Sequence, residues 1–81
     1  MGEERKEINH WTLDLIEINN VDEIQIRSIG LLDVFGKMEI DIYYKNSSVQ
    51  KLVAYSPVNV QQITHWLERT KLYRKTKYYE F

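Results

Sequence analysis

With 81 residues, 43% of them apolar, and a formal net charge of −1, the chain fits one small globular domain with a thin core. It has no cysteine, which excludes disulfides and thiolate–zinc sites. No apolar run approaches the roughly 20 residues of a membrane-spanning helix, and the start MGEERKEINHW has no signal-peptide apolar region. The expectation is a soluble, cytoplasmic protein.

In chain order, residues 1–9 are charged and are expected to form a flexible N-terminus. Residues 10–18, HWTLDLIEI, place Trp11, Leu13 and Leu15 on one side and Ile16 and Ile18 on the other, a period of two with one slip. This pattern predicts a strand with a bulge, and Asn19–Asn20 then reads as a hairpin turn. Residues 21–29 predict a second strand, with Ile24 and Ile26 opposite Glu23, Gln25 and Arg27. Residues 30–36 hold Leu31, Leu32, Val34 and Phe35 between Gly30 and Gly36. So apolar a segment is expected to pack over one open end of the sheet as a plug, or else to form an exposed partner-binding patch.

Residues 37–45 alternate most clearly. Met38, Ile40, Ile42 and Tyr44 face one way, and Lys37, Glu39, Asp41 and Tyr43 the other. Asn46–Ser48 predicts a turn and residues 49–55 a fourth strand. The period then changes. Ser56 before Pro57 is a helix start, because the hydroxyl can accept from a first-turn amide and proline suits the first helical position. Val60, Ile63 and Leu67 continue at helical spacing, predicting a helix from 57 to about 70. The expected fold is α+β: a small antiparallel sheet of about four strands followed by one C-terminal amphipathic helix. Ile40, Ile42, Ile63 and Leu67 form its expected core.

The residues Ile24, Ile26, Leu31, Leu32, Phe35, Gly36, Met38, Ile40, Ile42, Pro57, Val60, Ile63 and Leu67 resemble the C-terminal half of bacterial PH-like (pleckstrin-homology-like) domains. The match spans about residues 21–68 and consists mostly of hydrophobic patterning. It implies a half PH-like barrel, because the chain has no room for the family's full set of strands. No lipid site carries over, since the basic residues of the family's first hairpin are not found here. A trimmed barrel exposes sheet edges, and pairing with a second copy would cover them.

No catalytic, cofactor-binding or metal-binding motif stands out. His10 and His65 have no partner at zinc spacing. The serines lie outside any nucleophile elbow, and Gly30–Gly36 lacks the lysine of a phosphate loop. Asp14, Glu17, Asp22 and Glu23 read as solvated surface. Charge is unevenly placed, however. Residues 1–68 hold six Lys/Arg against eleven Asp/Glu, giving −5, while residues 69–81 hold five Lys/Arg against one Glu, giving +4. In the tail RTKLYRKTKYYEF, the cations Arg69, Lys71, Arg74, Lys75 and Lys77 interleave with Tyr73, Tyr78, Tyr79 and Phe81. Such a strip suits phosphates and stacked bases or an anionic membrane surface. The plainer reading is a solvated helix end that matches the helix dipole, or an end that packs on another subunit.

The expected organisation is therefore a domain over 10–70 and a basic, aromatic tail over 71–81 that is dispensable for folding. The expected role is a non-enzymatic interaction or assembly module, self-associating or bound to a protein partner, with no small-molecule substrate identified. The alternative is a nucleic-acid-binding accessory protein acting through the tail.

Overall fold

The structure, a computed structural model, describes residues 4–29 and 37–80. Its elements are β1 (Lys6–Glu7), α1 (His10–Asp14), β2 (Val21–Ile29), β3 (Lys37–Tyr44), β4 (Val49–Ala54), α2 (Pro57–Thr70) and β5 (Thr76–Glu80). Single 3₁₀ turns at Ile18–Asn20 and Leu72–Lys75 precede β2 and β5. One five-stranded sheet runs in the order β1-β4-β3-β2-β5.

The α+β class holds, but the small antiparallel sheet does not. The inner pairs β2–β3 and β3–β4 are antiparallel, while the outer pairs β1–β4 and β2–β5 are parallel. The connections explain this mixture. A helix carries the chain back along the sheet, so the strand after it runs in the direction of the strand before it. The 14 residues of α2, at about 1.5 Å rise each, span roughly 21 Å and take the chain from β4 across to the far edge.

The strand expected over 10–18 is instead the short helix α1. Asn9 accepts hydrogen bonds through Oδ1 from the backbone N–H groups of Trp11 and Thr12, at 2.9 and 3.0 Å. This N-cap satisfies amides that a helix start leaves open. The buried residues are Thr12, Leu13 and Ile16, a helical spacing that the apparent period of two concealed. Within the segment 1–9 that the sequence reading treats as flexible, residues 6–8 are held by the sheet and the core. Lys6 and Glu7 pair with Leu52 and Val53, and Ile8 is buried in the core.

The core lies between the sheet and the two helices. Val21, Ile24 and Ile26 of β2, Ile40 and Ile42 of β3, and Leu52 and Ala54 of β4 pack against Leu13, Ile16, Ile63, Trp66 and Leu67. A register shift between Val21 and Glu23 puts Val21 and Ile24, three apart, on the same face, as a bulge does. The expected core residues Ile40, Ile42, Ile63 and Leu67 are all buried. The helix start is as read from sequence, with Ser56 Oγ accepting from the Asn59 N–H at 3.2 Å and Pro57 in the first turn.

Among the described residues no helix covers the other sheet face, and charge pairs run across it. The Arg5 guanidinium contacts Asp41 Oδ1 at 2.8 Å and Glu39 Oε2 at 3.3 Å. All three side chains are largely shielded from solvent. Val53, beside Glu7 in the β1–β4 register, is buried on this face. Among the described residues no helix is long and apolar enough to cross a membrane.

A candidate interaction site at the C-terminal edge

Residues 71–80 of the tail foreseen from sequence run into the sheet, ending in β5 (Thr76–Glu80). Helix α2 ends at Lys71, whose φ of 63° is left-handed. An αL residue at this position turns the chain sharply and closes the helix. The turn drives Leu72 into the core, where it is 4% exposed. Thr70 and Thr76 bracket the turn. Thr70 Oγ1 donates to the Trp66 carbonyl at 2.6 Å, and Thr76 Oγ1 donates to the Leu72 carbonyl at 2.9 Å. Residues 76–80 then lie parallel to β2, Thr76 beside Ile24 through Glu80 beside Ser28. Thr76 and Tyr78 share the helix-side face, and Lys77 and Tyr79 the open face.

This placement separates the cations that the sequence grouped as one strip. Lys77 Nζ lies 3.1 Å from Glu23 Oε1, and Gln25 Nε2 donates to Glu23 Oε2 at 2.8 Å. The hydrogen bonds from Gln25 and then Lys77 hold the Glu23 carboxyl below its ordinary value. The same contact with Glu23 raises the Lys77 ammonium. Lys75 Nζ donates to the Val21 carbonyl at 3.0 Å. Arg69 reaches Asp14 at 3.8 Å, with both side chains solvated. Arg74 lies 5.8 Å from the centroid of the Tyr73 ring, within cation–π range. Lys71 is exposed at the helix end. Tyr73 is half-exposed, while Tyr78 is 63% and Tyr79 42% exposed.

Among the described residues β5 has one strand neighbour, β2. Its other edge therefore faces outward with backbone donors and acceptors that no strand of the sheet meets. No proline interrupts it, and its register with β2 shows no shift.

The sequence reading missed a second exposed feature. Trp11 and Leu15 are 67% and 79% exposed and sit one helical turn apart on the solvent side of α1. The Asn9 cap was the available signal. With a helix in place of a strand, Trp11 and Leu15 separate from Leu13 and point outward. The proposed plug or patch of Leu31, Leu32, Val34 and Phe35 lies outside the described residues. A shallow groove of about 240 Å³ between α1 and α2 is lined by Leu13, Asp14, Gln62, His65 and Arg69. It sets His65 near an Arg–Asp pair and includes no serine or cysteine. Among the described residues no cluster of His, Asp or Glu has the makings of a metal site.

No protein-family model, curated protein or solved structure matches the chain.

Proposed function

We propose that the chain is a non-enzymatic interaction and assembly module that self-associates. The observation that carries this reading is the outward edge of β5, a regular, proline-free strand bearing exposed tyrosines on both faces. Such an edge accepts another strand by main-chain hydrogen bonding, with side chains on alternate faces supplying selectivity. Proteins that stay monomeric commonly blunt such edges with bulges, prolines or charges. The one cation within β5 is Lys77, and Glu23 compensates it.

Sedimentation of the intact chain over a micromolar concentration series tests the reading. The mass is expected to rise from one chain to two. A single-chain mass throughout would remove the self-associating part of the proposal.

A second reading, nucleic-acid binding, draws on the exposed Lys71 and on Arg74 with its neighbouring tyrosine. It requires affinity to fall with salt at a log–log slope of about −0.7 per neutralised phosphate on single strands. Lys75 and Lys77 already hold internal acceptors, so the strip offers fewer cations than its sequence does. Retention on single-stranded nucleic acid at low salt would favour this reading over assembly.

A further inference from the structure

We infer that the partner of the β5 edge is the β5 of a second copy, paired antiparallel about a two-fold axis at Tyr78. The inference rests on the reading of the chain as a self-associating module. A strand that pairs with its own copy across a two-fold axis makes an isologous contact, in which each residue meets its mirror position. For the five residues Thr76–Glu80, complete overlap occurs in one register, with Tyr78 opposite the partner's Tyr78.

The side chains favour the same register. Centring on Lys77 would set two lysines directly opposite, and like charges across a strand pair repel. Centring on Thr76 would oppose Lys75 and Lys77, with the same result. Centring on Tyr78 instead places Lys77 opposite the partner's Tyr79 twice, on the open face of the sheet, and faces tyrosine with tyrosine at the axis. Cross-strand aromatic pairs stabilise a sheet, and a cation beside a ring is attracted. Lys77 can remain with Glu23 in this arrangement, because Glu23 belongs to β2 on the side away from the new strand. The two sheets would join into one continuous ten-stranded sheet, twice the five strands of each copy, with both dimer-forming edges removed from solvent.

The chain has no native cysteine, so one introduced thiol reports the axis cleanly. Tyr78→Cys and Gln61→Cys, the latter exposed on α2, are oxidised under identical mild conditions. Tyr78→Cys is expected to form covalent dimer at least tenfold faster. A short bis-thiol linker serves in parallel, in case the opposed Cβ atoms do not suit a direct disulfide. Tyr78→Lys, which sets two cations at the axis, is expected to weaken the dimer at least tenfold while leaving the monomer's circular dichroism unchanged. Trp11→Glu is expected to leave the dimer intact.

A chain that stays monomeric overturns both this inference and the self-associating module. A dimer that survives Tyr78→Lys, cross-links equally at 61 and 78, or dissociates on Trp11→Glu overturns the inference alone. In that case assembly uses another surface, such as the exposed side of α1.

Discussion

Replacing Leu72 with alanine tests the claim that the C-terminal segment is part of the domain. Leu72 follows the left-handed Lys71, is 4% exposed and belongs to the core cluster. Core leucine-to-alanine changes cost about 2–5 kcal/mol, depending on how far the site collapses. Leu72 sits in a turn at the margin of the core, so we place it in the lower part of that range, about 2–3 kcal/mol. In a domain of this size each kcal/mol shifts the Tm by about 4–8 °C, so a fall of roughly 10–20 °C is expected. The neighbouring Tyr73 is half-exposed, and Tyr73→Ala should change stability by no more than about 0.5 kcal/mol. Thermal unfolding followed by far-ultraviolet circular dichroism compares the two, and urea titration checks that the slope m stays constant. Equal melting temperatures for the two variants would refute the placement of Leu72. Deleting residues 71–81 removes Leu72 together with all five β2–β5 register pairs. Against a total stability of about 5–15 kcal/mol, that loss should leave the chain largely unfolded.

Other predictions follow from single contacts. Ile40→Ala should cost about 2–5 kcal/mol by thermal melting, because Ile40 is buried at the centre of the sheet. Arg5→Ala should cost about 1.5–3 kcal/mol by the same measurement, and Arg5→Lys should recover little, since an ammonium lacks the planar fork that reaches Asp41 and Glu39 together. Lys71→Gly should hold or raise the Tm, because glycine enters the left-handed region without the strain that lysine bears there. A loss of about 1 kcal/mol, as for glycine within a helix, would contradict this. The Glu23–Lys77 contact should depend on pH at both ends. Glu23 is held below its ordinary value, so its contribution is present above the usual carboxylate range and is lost as pH falls through the lowered value. Lys77 is held above its ordinary value, so its contribution is present below the usual lysine range and is lost as pH rises through the raised value. Chemical shifts of the Glu23 carboxyl, compared in the intact chain and in Lys77→Met, read the acid limb. An unchanged midpoint would remove the contact.

The elements that could be read from sequence are those whose burial writes a period. Strand β3 alternates because one face meets the helices and the other bears the charges that Arg5 binds. Helix α2 announces itself by Ser56, Pro57 and the spacing of Ile63 and Leu67. The edge elements lack such a signal. Strand β1 is two charged residues, and its pairing is set by neighbours: Ile8 in the core, and Asn59, whose Nδ2 donates to the Ile8 carbonyl at 3.2 Å. Strand β5 reads TKYYE, without an aliphatic residue, and its position depends on Leu72 and the turn at Lys71. Helix α1 spans five residues, too short for a helical period to outweigh a chance alternation. The candidate site follows the same rule. Its residues were visible as a basic, aromatic run, but their division into internally paired cations and exposed tyrosines required Glu23, Val21 and β2, which lie far away in sequence.

The most direct measurement of the central claim is amide hydrogen exchange across β5 at low and high protein concentration. In a single copy, the amides directed at β2 are protected and those on the outer edge exchange quickly. Assembly through this edge predicts that the outer amides among residues 76–80 become protected as concentration rises, in step with the dimer mass. Fast exchange of those amides at a concentration where the chain is dimeric would contradict the account.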